Sequence, residues 1–215
     1  MSIENCTIQY MMTEKCGVGK RELNKARKRA EIVQVAASMF LEQGYAATTM
    51  SAIADTLGGS KATLWAHFSS KEDVFSAVLD RHVDTFSRSI DEVLTGQTFS
   101  VPALRRACLR FIDCLLRESS ILLYRMVMSE GDRFPELREA FYTRGPIKLR
   151  TRVAGFFATV FDDDDAHALT QLMVAAVTGY RSDLIMKPDR SGVDHEAFVD
   201  TMLRHIAWPE PRSNA

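Results

Sequence analysis

No window of this sequence holds the roughly 18 consecutive apolar residues that a membrane-spanning helix needs, and its first residues lack the continuous apolar stretch of a secretory signal. A cytoplasmic protein without a membrane partner is the expectation. Cysteine is scarce too. Cys6, Cys16, Cys108 and Cys114 form no CxxC pair and no Cys/His set of zinc spacing, so they read as reduced thiols. Strict apolar–polar alternation is never sustained, which excludes convincing strands. No glycine loop of phosphate-cradling type occurs, and Asp194-His195 and His205 have no evident nucleophile to serve. Asp162, Asp163, Asp164 and Asp165 lack the alternating ligands of a calcium loop. They read as a charged loop whose last member caps the next helix. Neither an enzyme nor a metal or cofactor is expected.

Net charge is absent as well: 27 Lys and Arg stand against 28 Asp and Glu, a formal −1 over 215 residues. Any polyanion must therefore meet a local surface. One such stretch runs from Lys15 to Arg29, where Lys15, Lys20, Arg21, Lys25, Arg27, Lys28 and Arg29 face the single acid Glu22. Residues 1–23 read as a flexible basic arm, fit either to enter a minor groove or to stay a solvated tail. Met11 and Met12 leave the natural start of translation open.

What is abundant is helical period, so the expected fold is all-α. Ile32, Val35, Ala36, Met39 and Phe40 make one amphipathic stripe, with Gly44 as its stop. Thr48 or Thr49 caps a short helix with Met50, Ile53, Ala54 and Leu57 inward. Gly58-Gly59 breaks it. Ser60 caps a second short helix over roughly 61–67, with Leu64 and Phe68 inward. Ser70 opens a helix reaching about residue 94, with Asp73 at the capping-box position. Beyond the 96–102 linker, the pattern predicts helices at about 102–117, 120–130, 135–160, 164–186 and 195–207. Phe134-Pro135, Gly145-Pro146 and Lys187-Pro188 mark breaks or kinks. The domains expected are the arm, a three-helix head at 24–75, a helical body at 76–208 and a loose tail at 209–215.

Two short helices joined by a glycine turn follow helix-turn-helix logic, in which the second fits a major groove about 12 Å wide. The residues Phe40-Leu41-Glu42-Gln43-Gly44-Tyr45, Thr48-Thr49-Met50, Ile53-Ala54, Gly58, Ser60-Lys61, Thr63-Leu64-Trp65, His67-Phe68 and Ser70-Lys71-Glu72 resemble the N-terminal DNA-binding domain of the TetR family. The match is gapless over nearly 50 residues. It departs from the family at Gly59, where an aliphatic residue is usual, at Ala62, often glycine, and at Trp65, most often tyrosine. The resemblance implies that Thr49, Trp65 and His67 contact phosphates, that Lys61 and Lys71 contact phosphates or bases, and that Ser60, the cap of the reading helix, belongs to the same DNA-binding set. It implies that Thr63 and Ala66, together with Lys61 and Ala62, look toward base edges. Ala66 suits a thymine methyl.

Arg133-Phe134-Pro135-Glu136-Leu137, with Phe141 and Gly145-Pro146, resembles one subset of the same family in its C-terminal half. The resemblance implies an effector-binding body that also pairs two subunits through the helices at about 164–186 and 195–207. Candidate lining residues are Phe86, Phe111, Leu115, Tyr124, Met128, Phe141, Phe156, Met173 and Val177, methionine and aromatics suiting an adaptable apolar cavity. Met126 belongs to the same group. Ala168, Leu172, Ala175, Ala176 and Gly179 would let paired helices approach closely. The expected function is a homodimeric repressor on palindromic double-stranded operator DNA, released by a small lipophilic molecule. The alternatives are an activator of the same fold, or a helical ligand-binding protein that has lost DNA.

Overall fold

The computed structural model describes residues 19–58, 60–189 and 191–212. Among them the chain is all-α, with ten α-helices, one π-helical turn and no strand. Helix α1 spans Lys20–Gln43, α2 Met50–Thr56, α3 Lys61–His67 and α4 Lys71–Leu94. Helix α5 (Val101–Leu115) is followed by α6 (Glu118–Glu130), α7 (Pro135–Tyr142) and the π turn (Thr143–Ile147). Then come α8 (Lys148–Phe157), α9 (Asp163–Met186) and α10 (His195–Arg204).

The caps follow elementary hydrogen bonding at helix starts. Thr49 Oγ1 accepts the Ala52 N–H, Ser60 Oγ that of Thr63, and Ser70 Oγ that of Asp73. Thr48, the other candidate cap, is instead buried and donates its hydroxyl to the Gly44 carbonyl at 2.8 Å. Of the four aspartates it is the first, Asp162, that caps α9, by accepting the Asp165 N–H at 2.9 Å. The three that follow occupy the first turn, where the helix dipole favours negative charge.

Three expectations need correction. Helix α1 begins at Lys20, so residues 20–23, expected in the arm, are helical; residues 1–18 of that arm fall outside the described residues. The predicted helix at 135–160 divides into α7, the π turn and α8, ending at Phe157. Pro146, which has no N–H to give to the α-helical ladder, lies inside the π turn. The tail is tied down as far as Arg212: its N–H donates to the Val160 carbonyl at 2.9 Å and its guanidinium pairs with Asp163 at 3.0 Å.

Two apolar clusters hold the molecule. The first joins Ile32, Phe40, Tyr45, Ile53, Leu64, Phe68 and Phe75 of the head to Leu123, Met126 and Val127 of α6 and Leu137 of α7. Burying each large side chain contributes about 1.5–3 kcal/mol, so the head is anchored to the body by its core as well as by the chain. The second cluster holds Ile90 of α4 against α5, α8, α9 and α10. The expected boundary near residue 75 therefore falls inside α4, which feeds both clusters. Cys108 and Cys114 are buried, reduced thiols on α5, and burial pushes the Cys108 thiol up to about 12.

Candidate functional site

Helix α3 is amphipathic over only seven residues. Leu64 and Phe68, just past its end, are buried, while Lys61, Ala62, Trp65 and Ala66 are exposed and Thr63 and His67 half-buried. Phe68 lies beneath the Arg29 guanidinium, 4.7 Å from its ring centroid, which fastens the end of α3 to α1. Trp65 is 52% exposed. A large indole held outward between two alanines gains little from folding and presents an N–H donor on an otherwise smooth rod.

The hydroxyls on this side are partly engaged. Ser60 Oγ and Thr63 Oγ1 lie 3.0 Å apart, one hydroxyl donating to the other. Thr49 uses a lone pair on its cap and keeps its hydroxyl proton free to donate. Lys71 is more constrained than a surface lysine. Its Nζ donates to the Tyr45 carbonyl at 2.9 Å and stands 4.0 Å from the Tyr45 ring centroid. The fixed ammonium retains N–H bonds for an outside acceptor.

A cavity of about 270 Å³ opens in the body between α4, α5, α6, the α7–π-turn segment, α8 and α9. Phe86, Phe111, Leu115, Tyr124 and Phe141 line it, and the Phe86 and Phe111 rings meet edge-on at 5.6 Å. The remaining expected lining residues lie elsewhere. Met128, one turn past Tyr124, is 62% exposed. Phe156 packs on Phe99 and Phe157, and Met173 and Val177 are core residues. From α9 the cavity takes Val174, Thr178 and Arg181; Met173 and Val177 sit one residue, about 100°, around the helix.

Two family models match this chain. Residues 32–78 match the model of bacterial regulatory proteins of the TetR family, and residues 102–178 match the C-terminal domain of AefR-like transcriptional repressors. The chain belongs to the TetR family of DNA-binding transcriptional regulators. Among curated relatives, the transcriptional activator FasR of Mycolicibacterium smegmatis is 36% identical over 114 residues, 53% of this chain and 51% of that protein. The chain thus matches about half the length of such relatives. Among solved structures, a TetR-family regulator from Mesorhizobium loti superposes with a TM-score of 0.72 at 25% identity, covering 84% of this chain and 95% of that one. The flavonoid-responsive regulator FrrA superposes at 0.67 with 28% identity, covering 83% and 94%. These relatives are regulators and not enzymes.

In this TetR-family chain the cavity also holds polar residues that sequence reasoning did not single out as lining: His82, Ser120, Arg150 and Arg181. Ser120 Oγ donates to the Cys114 carbonyl at 2.7 Å, so the 3.2 Å contact with His82 Nε2 requires the ring to donate. The imidazole therefore carries a proton on Nε2. Burial lowers its pKa, and the nearby Arg117 charge lowers it further. Arg181 did carry a signal. It falls on the stripe Val174, Val177, Arg181 and Leu184, a cation on the buried face of α9.

Proposed function

We propose that this protein is a homodimeric, cytoplasmic repressor that places two copies of α3 in successive major grooves of a palindromic operator and lets go when a small lipophilic effector fills the cavity. The observation that carries the reading is the face of α3: Lys61, Ala62, Trp65 and Ala66 exposed on a helix whose Leu64 and following Phe68 are buried. Thr49 caps α2 and Ser60 caps α3, Thr63 and His67 are half-buried on α3, and Lys71 begins α4. In this reading Trp65, His67, Lys61, Lys71 and Thr49 donate to phosphates, which set register, while Ala62, Thr63 and Ala66 meet base edges, which set sequence.

Dimerisation is supported by α9, whose outer side leaves Ala168, Leu172, Ala175 and Gly179 exposed, with Ala176 half-buried. Pairing through α9 and α10 would give two reading helices the separation of one DNA turn, about 34–36 Å. An effector that prefers another spacing weakens DNA binding by its differential affinity for the two arrangements. The cavity shares α4 and α6 with the head's apolar cluster, which supports such coupling. Responsiveness to a small molecule is also in the name of FrrA.

The repressor reading follows the family model over residues 102–178. An activator is the second reading, favoured by the name of FasR. A gel shift with purified protein on the DNA upstream of its own gene tests binding, and a reporter on that DNA separates the two. Higher reporter output without the protein fits repression, and lower output fits activation. No shift on any upstream fragment would sink both.

A further inference from the structure

The cavity is lined mainly by rings and aliphatic chains, yet arginines stand in its wall. Arg152 lines the cavity and is neutralised, its Nε 3.0 Å from Asp91. Arg144, in the adjoining π turn, is neutralised by Asp80 at 3.0 Å. Arg150 and Arg181 are different. Among the described residues neither forms an ion pair with a carboxylate, and Arg150 Nη1 and Arg181 Nε are buried atoms with no hydrogen-bond partner. Arg181 is only 8% exposed. Its guanidinium lies 3.8 Å from the centroid of the Tyr124 ring, another cavity residue, and among the described residues its side-chain hydrogen bonding is a long 3.4 Å bond from Nη2 to Ser182. A guanidinium does not lose its proton in proteins, so an unneutralised charge and an unused donor are held beside an apolar space. Leaving either so is costly, and an anion in the cavity would relieve both.

We propose that the cavity takes a small amphiphilic carboxylate, its apolar body against Phe86, Phe111 and Phe141 and its head group on the free N–H bonds of Arg181 and Arg150. This rests on the reading of the cavity as the effector site and specifies the effector's class. The choice of carboxylate follows from the donors on offer. A planar guanidinium matches the two oxygens of a carboxylate. A phosphate, with more charge and more oxygens, would call on further donors, and the His82 N–H is already given to Ser120. The volume, about 270 Å³, lies just under the range of roughly 300–1,000 Å³ usual for small-molecule sites, so the body is a short chain or a single ring system.

Calorimetric titration of the full chain without DNA tests this, using octanoate and 4-phenylbutanoate against methyl octanoate, octanol and octyl phosphate. Octanoate or phenylbutanoate is expected to bind at least about tenfold tighter than the uncharged compounds, as a charge-assisted bond implies. Arg181→Met should remove that advantage and leave ester binding unchanged, and Arg150→Met should reduce it. Should Arg181→Met not fold, Arg181→Lys keeps the charge without the fork and is expected to lose part of the advantage. Ester binding as tight as the carboxylates, no carboxylate binding, a full advantage in both Arg181 variants, or tighter binding of octyl phosphate would each overturn the proposal. A carboxylate that binds through Arg181 but leaves a protein–DNA complex intact supports it, and instead removes the ligand-release reading.

Discussion

The carboxylate of Glu130, at the end of α6, accepts two backbone N–H bonds in the α1–α2 turn, from Tyr45 at 2.8 Å and from Ala46 at 2.7 Å. A residue of the body thereby holds the turn that leads into the helix-turn-helix. Gly44 makes the approach possible. Its φ is +86°, and a Cβ added there would stand 2.6 Å from Glu130 Oε1. Tyr45 itself is fully buried, and its hydroxyl donates to Glu72 at 3.1 Å. Burial, followed by the Glu72 charge, raises its pKa, so it stays a neutral donor. The cavity residues Leu123 and Tyr124 stand on the same helix as Glu130. A displacement of α6 would be felt at the turn.

Glu130→Ala should lower the free energy of unfolding by about 2 kcal/mol, the scale of charge-assisted bonds left unmade, read from the denaturant midpoint. Gly44→Ala should be destabilising on its own, through strain of about 1–3 kcal/mol in a positive-φ, extended-ψ conformation and the collision with Glu130. In the Glu130→Ala background it should cost less, because only the strain remains. Equal costs in the two backgrounds would show that the carboxylate and the glycine are not coupled.

Ala66→Glu should abolish operator binding, since a carboxylate on the outer face of α3 meets phosphate and base-edge acceptors. Circular dichroism and the melting temperature should be unchanged, because Ala66 is exposed. A normal gel shift with this variant would put the groove-facing side elsewhere.

Lys71→Ala should weaken binding across sequences and reduce the salt slope by about one unit. It should also destabilise the head by about 1 kcal/mol, because the ammonium bonds the Tyr45 carbonyl and covers the ring. An unchanged slope with lowered stability would assign Lys71 to holding the turn alone.

Leu172 is 60% exposed on the outer side of α9. Leu172→Glu should shift sedimentation toward the monomer and, with two linked half-sites lost, raise the apparent Kd for a palindrome by a factor of about 100 or more. Sedimentation identical to wild type would move the pairing surface away from α9.

Burial holds the pKa of His82 below its ordinary value near 6.5. The unfolded chain therefore binds a proton that the folded one resists. Stability contributed by the neutral ring is complete above about pH 6.5 and is lost as pH falls from there toward the lowered folded value. His82→Gln should flatten the pH dependence of unfolding free energy in that window, measured in denaturant at pH 7.5, 6.5 and 5.5. A slope unchanged by the substitution would assign it to other groups.

Much of the head was legible in the sequence because its determinants are local. Thr49, Ser60 and Ser70 cap the helices that follow within three residues, and Ile53, Leu64 and Phe68 fall inward by period alone. Helical period also located the helices of the body, apart from the division of 135–160 into α7, the π turn and α8, and Phe86, Phe111, Leu115, Tyr124 and Phe141 of the expected lining residues stand in the cavity wall. Tertiary packing decided the rest, because it joins residues that spacing cannot relate. Whether Val174 or Val177 faces a cavity depends on where α4 and α6 stand, and both read the same along α9. Glu130 meets Tyr45 across 85 positions, and the isolation of Arg181 becomes visible only when every carboxylate has found its place. Capping and amphipathicity act within a few residues, whereas voids, latches and unpaired charges exist only between elements already assembled.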